Sequence, residues 1–308
     1  ALVDMYAKCG ALEESHYLFV QLSVHDTNSC NSMIVGCVEQ GHFQEALNLL
    51  DEMEKYDISA DCSTYACILK ACGTMKSLDN GRKIHMEILK KGYESDDYVG
   101  STLVAMYSKC GVFVEAHKVF NKMPIRDLVT WTALIGGLTE YGHADEALVC
   151  FDAMQLDGIC PCELLFSNAL KACSSIEALD KGRELHAEIA KKGFERDSFI
   201  GSIMVDMYAN CGSLIEARHV FEKFLVRDTV LWSSLISGYV EYGCAEEALE
   251  FLEYMRTEEV FLDATVFACA LKACGIVRDK DKGYRLHARI VTEKLEADPF
   301  VGSALIYM

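Results

Sequence analysis

The chain has 308 residues, of which 51% are hydrophobic, 25% are charged and three are proline, a composition that excludes a disordered polypeptide. Its formal charge of -18 argues against a protein that holds duplex nucleic acid or an anionic membrane by a bulk positive field. No apolar run approaches the ~18 residues that span a bilayer, so no membrane partner is expected. The opening residues, ALVDMYAKCG, include no initiator Met or leader signal, which is expected of an interior piece of a longer chain.

A nine-residue segment recurs along the chain at a fixed distance. LVDMYAKCG begins at Leu2, LVAMYSKCG at Leu103 and MVDMYANCG at Met204, a step of 101 residues. The motif LKAC takes the same step from Leu69 to Leu170 and on to a third copy. Such regularity predicts a solenoid, in which each repeat packs against its sequence neighbours.

Each 101-residue unit divides further at a recurring boundary residue. That residue is Asp at eight of nine boundaries and Cys162 at the ninth, which gives segments of 35, 35 and 31 residues. The predicted single array runs through repeats 27–61, 62–96, 97–127, 128–162, 163–197, 198–228, 229–263 and 264–298, with partial repeats at 1–26 and 299–308.

Within each segment, apolar residues recur three and four positions apart in two stretches that a Gly-centred turn separates. In repeat 128–162 these stretches are TWTALIGGLTE and ADEALVCFDAM, joined by YGH, a pattern that predicts a helical hairpin. The predicted apolar stripes are Leu134, Ile135 and Leu138 on the first helix and Ala147, Leu148, Phe151 and Met154 on the second. A hairpin cannot bury both stripes alone, so we expect an all-α solenoid of stacked helix-turn-helix repeats.

The cysteines and histidines recur with the repeats, which favours packing over chemistry. Fifteen cysteines without a CxxC pair favour a reducing compartment and no metal site. The recurring cysteines are expected to be inert core thiols at small-residue contacts of the first helices: Cys9, Cys72, Cys110, Cys173, Cys211 and Cys274.

An HxE element, which holds zinc in nucleobase deaminases, occurs at His85 and His186. The PCxxC that completes that site does not occur in the chain, and the third copy reads His287-Ala288-Arg289. We therefore predict no catalytic residues, no cofactor and no enzymatic activity.

Hairpins of 35, 35 and 31 residues with YAKCG-, LKAC- and EALxxFxxM-type signatures resemble the pentatricopeptide repeat family, and more narrowly its plant PLS class. The resemblance covers all 308 residues and implies that the stacked repeats form a right-handed superhelix. It assigns P-like repeats at 27–61, 128–162 and 229–263, L-like repeats at 62–96, 163–197 and 264–298, and S-like repeats at 97–127 and 198–228, with partial S-like repeats at both ends. It implies an RNA-recognition array of an organellar RNA-editing or processing factor, in the chloroplast or the mitochondrion of a plant, that binds single-stranded RNA at one base per repeat.

In the family, the fifth and last residues of a repeat read one base, and the second residue packs on the base face. By this resemblance the readout pairs are Asn31 with Asp61, Ala66 with Asp96, Ser101 with Asp127, Thr132 with Cys162, Ser167 with Asp197, Ser202 with Asp228, Ser233 with Asp263, and Ala268 with Asp298, with Asp26 and Ser303 as half pairs. The base-packing residues are Tyr98, Val129, Leu164, Phe199, Val230 and Phe300, whereas Asn28 and Ser63 are poor platforms.

The resemblance also implies base preferences. A pair of Asn with Asp favours U, and a pair of Ser or Thr with Asp favours G. In chain order, the seven repeats from 27–61 to 229–263 are then expected to select U, no base, G, a purine, no base, G and G. Ala66 and Ala268 offer no side-chain hydrogen bond, and Cys162 weakens its repeat to a purine preference. On the first helices, five lysines (Lys8, Lys70, Lys109, Lys171 and Lys272) balance five carboxylates, which predicts modest affinity with a shallow salt dependence.

Three other interpretations stay open at this point. A Ser or Asp at a repeat boundary can be a helix cap or a turn residue. The chain can be a protein-interaction scaffold, and in the family L repeats contact small editing partner proteins. Because the sequence stops inside a first helix at Met308, an uncapped terminal repeat can also lead to self-association.

Overall fold

A computed structural model describes residues 2–22, 26–56 and 58–308, and across these residues the protein is helical with no β-strand. The first helices of the hairpins are α1 Leu2–Lys8, α3 Thr27–Glu39, α5 Cys62–Thr74, α7 Asp97–Lys109, α9 Leu128–Glu140, α11 Glu163–Ser175, α13 Ser198–Asn210, α15 Thr229–Glu241, α17 Ala264–Val277 and α19 Pro299–Tyr307. The second helices are α2 Leu12–Gln21, α4 Phe43–Lys55, α6 Leu78–Lys91, α8 Phe113–Lys122, α10 Ala144–Leu156, α12 Leu179–Lys192, α14 Leu214–Glu222, α16 Ala245–Thr257 and α18 Lys280–Thr292. This architecture confirms the predicted all-α solenoid of helical hairpins.

The chain divides into two compact units, residues 1–160 with α1–α10 and residues 161–308 with α11–α19. Inside each unit, a first helix packs against its own second helix and against the first helix of the next repeat, as α5 does with α6 and α7. In the second unit, α13 packs in the same way against α14 and α15. Neighbouring hairpins therefore bury the stripes that one hairpin leaves exposed.

The two repeat lengths differ by one turn of the second helix. In the 31-residue repeats the second helices α8 and α14 have 10 and 9 residues, whereas α10 and α16 of the P-like repeats have 13 each. The difference of about four residues corresponds to one turn at 3.6 residues per turn. In the L-like repeats 62–96 and 163–197 the second helix has 14 residues and ends on a left-handed glycine, Gly92 or Gly193, before a short 3-10 turn.

The predicted apolar stripes form the core. In repeat 128–162 every predicted stripe residue is buried: Leu134, Ile135, Leu138, Ala147, Leu148, Phe151 and Met154. Gly142 of the predicted YGH turn has a φ of +79°, and Gly41 and Gly243, 101 residues to either side, share this conformation, which costs glycine little. No helix among the described residues is both long and apolar enough to cross a bilayer.

An aromatic pair joins repeat 97–127 to repeat 128–162, and a second pair joins repeat 198–228 to repeat 229–263. Phe120 meets the edge of Trp131 with ring centroids 4.6 Å apart, and Phe221 meets Trp232 at the same distance. An arginine covers each phenylalanine, and the Arg126 guanidinium carbon lies 5.0 Å from the Phe120 centroid. Such edge-to-face pairs add roughly 0.5–1.5 kcal/mol beyond the burial of their area.

Candidate nucleic-acid interface

The boundary aspartates are the N-caps of the first helices. In each of the eight, Oδ1 accepts the backbone N–H three residues further on, at distances from 2.8 to 3.1 Å: Asp26, Asp61, Asp96, Asp127, Asp197, Asp228, Asp263 and Asp298. The cap satisfies one of the otherwise unpaired amides of the helix start. The interpretation of the boundary aspartates as helix caps is thus confirmed. The cap bond engages only one of the two oxygens of each carboxylate.

The second oxygen is free of the cap bond, and in repeat 27–61 it meets the predicted readout partner. Asn31 Nδ2 donates to Asp61 Oδ2 at 3.1 Å, although the two residues are 30 positions apart. The Asn31 amide oxygen accepts from the Thr64 hydroxyl, and Thr64 also belongs to the Asp61 capping box. The fifth and last residues of this repeat therefore form one polar cluster with donors and acceptors at a helix start.

Several fifth residues are hydroxyl side chains that bond to their own helix. Ser101 donates to the Tyr98 carbonyl at 3.0 Å, Ser233 donates to the Val230 carbonyl at 2.9 Å, and the remaining bonds of this kind are made by Thr132, Ser202 and Ser303. Because the hydroxyl proton is engaged, the oxygen presents lone pairs to an incoming group. A base amino or imino N–H is a suitable donor to such an oxygen.

Not all fifth residues reach the surface. Ala66 and Ser167, in L-like repeats, have no solvent exposure, and Ser202 is 6% exposed. Each of these first helices packs against the first helix of the following repeat, as α5 does against α7 and α11 against α13, but α7 also packs against α9 while its fifth residue, Ser101, stays half-buried. This structure therefore closes three predicted readout positions to solvent. By contrast Asn31, Ser101, Thr132, Ser233 and Ala268 are half-buried, and Ser303 is exposed.

The predicted base-packing residues all lie at the surface. Their side chains are half or more exposed, from 50% at Tyr98 to 76% at Phe300, and the others are Val129, Leu164, Phe199 and Val230. The polar second residues Asn28 and Ser63 are exposed too, as is Thr265, the second residue of repeat 264–298, which the apolar pattern did not single out. An apolar side chain held in water at the start of successive first helices is a suitable platform for a flat apolar ring.

One of the first-helix lysines contacts a base-packing residue. Lys70 Nζ lies 2.8 Å from the Tyr98 hydroxyl and 5.1 Å from the ring centroid. Lys171 and Lys272, at equivalent positions, are exposed. Lys8 is paired with Asp4 at 3.0 Å, and this bond holds the pKa of Asp4 below its ordinary value.

The HxE histidines bind tyrosine hydroxyls of the next repeat. His85 Nδ1 lies 2.8 Å from the Tyr107 hydroxyl, and His186 Nδ1 lies 2.8 Å from that of Tyr208. The tyrosines recur 101 residues apart, as the histidines do, which is the sequence signal of the pairing. Burial lowers the pKa of both imidazoles. Each of these histidines therefore links its own repeat to the repeat that follows it.

A histidine whose folded-state pKa lies below its unfolded value of about 6.5 stabilises the fold at higher pH, and this contribution is lost as the pH falls below that value. We expect the His85→Gln/His186→Gln variant to lose less thermal stability than the native chain between pH 7 and pH 5, because glutamine stays neutral. The exposed His287→Gln change is the control and is expected to follow the native profile. Identical profiles for the double variant and the native chain in thermal denaturation would contradict this account.

The recurring cysteines divide into two groups. Cys72, Cys173 and Cys274 are buried as predicted, and burial raises the pKa of Cys72 to about 11, which keeps it a neutral thiol. The prediction was wrong for Cys9, which is exposed, and Cys110 and Cys211 are half-buried. The physical reason is position, since Cys110 and Cys211 are the C-cap residues of α7 and α13. No cluster of three or more metal-ligating side chains occurs in the part of the chain that the structure describes.

The repeated hairpins and the capped starts of their first helices define a class of helical-hairpin repeat proteins, and comparison with known proteins identifies the family. The PPR repeat family model matches residues 25–74, and the PPR repeat model matches residues 101–128, 129–159, 202–228 and 230–260, together more than half of the chain. The chain belongs to the pentatricopeptide repeat family.

Relatives and solved structures agree with this assignment. A chloroplastic pentatricopeptide repeat-containing protein of Arabidopsis thaliana is 38% identical over 89% of this chain and 45% of its own length. A mitochondrial one from the same plant is 34% identical over 100% of this chain and 30% of its own length, so the chain spans less than half of either relative. The crystal structure of the pentatricopeptide repeat protein PPR10 in complex with an 18-nt psaJ RNA element superposes with a TM-score of 0.83 at 18% identity, covering 98% of this chain and 45% of that one.

Proposed function

We propose that this protein binds single-stranded RNA sequence-selectively, with one base per repeat, as the recognition part of an organellar RNA-editing or processing factor of the PLS class. The observation that carries the proposal is the recurrence, at the first-helix starts, of an exposed second residue and a capping Asp, together with the bond between the fifth residue Asn31 and Asp61 in repeat 27–61. RNA in the complex of the similarly folded PPR10 supports it. Relatives named chloroplastic and mitochondrial support a location in one of these two organelles.

The proposed readout is strongest where the fifth residue is accessible. Repeats 27–61, 97–127 and 229–263 each offer a half-buried Asn or Ser together with an Asp whose second oxygen is outside the cap bond. Asn31 with Asp61 is proposed to select U, and Ser101 with Asp127 to select G. The repeats with the enclosed Ala66 and Ser167 are proposed to add spacing without selecting a base.

The test exchanges one readout residue for the other. In Ser101→Asn the repeat 97–127 acquires the pair that repeat 27–61 has, so its preference is expected to change from G to U. On ten-nucleotide RNAs that differ only at this base, we expect a change in discrimination of about 1–3 kcal/mol, measured by fluorescence anisotropy.

The matched control is Ser175→Asn. Ser175 is an exposed serine of a first helix whose hydroxyl also bonds a carbonyl of its own helix, at 2.9 Å, but it is neither the fifth nor the last residue of a repeat. It is expected to leave base preference unchanged. Equal binding of a scrambled RNA by the native protein, or an unchanged preference in Ser101→Asn, would refute the proposed readout.

A protein-interaction scaffold is the second candidate function. The observation that favours it is the burial of the fifth residues Ala66 and Ser167, which leaves the L-like repeats 62–96 and 163–197 without an accessible readout pair. Such repeats are available for small editing partner proteins. A protein that binds such a partner and ignores every RNA in the series above would favour the scaffold.

A further inference from the structure

A basic groove lies between the second helices α16 and α18, in the unit formed by residues 161–308. Arg256 on α16 and Lys282, Arg285 and Arg289 on α18 line it, and its volume is 320 Å³. Among the lining residues the one carboxylate is Glu253. No proposed readout or base-packing residue lines the groove, so this surface is separate from the RNA site proposed above.

The positive charge is confined to one of the three copies of this helix pair in the sequence. The residues 101 positions earlier are Gln155, Lys181, Glu184 and Glu188, and those 202 positions earlier are Glu54, Asn80, Lys83 and Glu87. Each earlier set contains one cation and two carboxylates, whereas the third set contains four cations. Repeat packing does not require this charge, because the same fold forms without it in the other copies.

The groove cations keep most of their hydrogen-bond donors. Arg256 donates to Glu253 at 2.7 Å, and Arg289 donates to Glu293 at 3.2 Å. The Arg285 Nε donates to a backbone carbonyl at 3.3 Å. A guanidinium has five N–H donors in a planar fork, so each of these contacts leaves donors for a bidentate oxyanion.

We propose that this groove binds a short acidic segment of a partner protein, with about three or four carboxylates matched to the four cations. Two buried leucines, Leu252 and Leu286, form the apolar part of the lining, which suits aliphatic side chains between the carboxylates. No aromatic side chain lines the groove, so it provides no stacking platform for bases.

Charge also favours a short acidic peptide over RNA at this place. The chain has a formal charge of -18, and α16 has three glutamates in its first half, Glu246, Glu247 and Glu250. A long polyanion crossing the groove meets these carboxylates with its flanking phosphates, which is repulsive. An acidic peptide of a few residues is neutralised within the groove itself.

The test measures binding of a fluorescein-labelled eight-residue peptide of alternating Glu and Leu, which carries one Glu for each groove cation, with a peptide of Gln and Leu as its neutral counterpart. We expect the Glu peptide to bind and the Gln peptide not to bind. Arg285→Glu/Arg289→Glu introduces the residue type that the equivalent positions 184 and 188 already have, so it is compatible with the fold, and we expect an affinity loss of about tenfold or more.

Three further measurements separate this site from its alternatives. Lys192→Glu, which reproduces the Glu293 of the equivalent position, removes a cation outside the groove and is expected to leave peptide binding unchanged. Arg256→Gln, which reproduces Gln155, is expected to weaken binding without reversing the charge. Ten-nucleotide oligo(U) is expected to bind the native protein and the double variant equally.

Three results would overturn the proposal. The first is equal peptide affinity in the native protein and the double variant. The second is displacement of the peptide by tripolyphosphate or oligo(U) with loss of RNA binding in the double variant, which would make the groove a phosphate site. The third is a concentration-dependent dimer, seen by sedimentation, that Arg285→Glu/Arg289→Glu abolishes, because the occupant would then be a second copy of this chain.

Discussion

Replacing Gly201 with alanine is expected to destabilise the protein by roughly 1–3 kcal/mol, whereas the same change at Gly100 is expected to cost much less. The two glycines occupy equivalent positions on α13 and α7, 101 residues apart. A Cβ at Gly201 would lie 2.1 Å from Cζ of Phe224, inside any tolerable contact. A Cβ at Gly100 would lie 3.3 Å from Met123, an unbranched side chain that can move aside.

The two changes also gain helix propensity, because alanine is favoured over glycine by about 1 kcal/mol inside a helix. At Gly100 this gain offsets the small steric cost, and the free energy of unfolding is expected to change little. At Gly201 the Phe224 ring is 7% exposed and planar, so the clash exceeds the gain.

A double-mutant cycle isolates the clash. Phe224→Met gives the second unit the side chain that the first unit has at Met123, so Gly201→Ala in that background is expected to cost no more than Gly100→Ala. Urea denaturation followed by circular dichroism measures all four proteins. An equal cost of Gly201→Ala in the native and the Phe224→Met backgrounds would show that the ring contact is not the cause.

The hairpin fold could be predicted because one physical pattern repeats along the sequence. The predicted stretches of repeat 128–162 coincide with α9 and α10, and their apolar residues are buried, since helical periodicity and a left-handed Gly142 are local signals. The boundary aspartates are local as well, because an N-cap is decided by the backbone that immediately follows it.

What the sequence could not predict depends on neighbouring repeats. Ala66 and Ser101 are both fifth residues on first helices that pack against the next first helix, yet the first is fully buried and the second is half-buried. The partner of His85 is Tyr107, a residue of another repeat. Helical periodicity assigns a face of one helix but does not say which side chain of the next helix covers it.

The aspartate caps also limit what sequence reasoning can assign. Asp127 Oδ1 accepts the Thr130 amide and the Thr130 hydroxyl, so a recurring Asp is expected at this position for helix stability alone. A readout role for the same residue rests on its other oxygen. Helix capping and base readout therefore both favour Asp at this position. The two roles can be distinguished only at a repeat boundary where the capping side chain is missing.

Cys162 is that position, and Cys162→Asp is expected to raise the free energy of unfolding by about 0.5–1 kcal/mol. Cys162 is the N-cap of α11 with φ -92° and ψ 173°, close to the -86° and 173° of Asp127, and its side chain makes no cap hydrogen bond. The backbone is already in the capping conformation, so an aspartate carboxylate can accept the amide three residues on without rearrangement. Urea denaturation measures the gain.

Cys160→Asp is the matched control, because Cys160 is exposed, lies two residues earlier and caps no helix, so no gain is expected there. Under the proposed readout, Cys162→Asp also gives repeat 128–162 the pair Thr132 with Asp, so its preference is expected to narrow from purine to G. The free energy of unfolding then reports on the carboxylate oxygen that caps the helix, and the base preference reports on the other oxygen. A gain in stability without any change in base preference would assign the recurring aspartate to helix capping alone, and a change in preference without a gain in stability would exclude the cap as its reason.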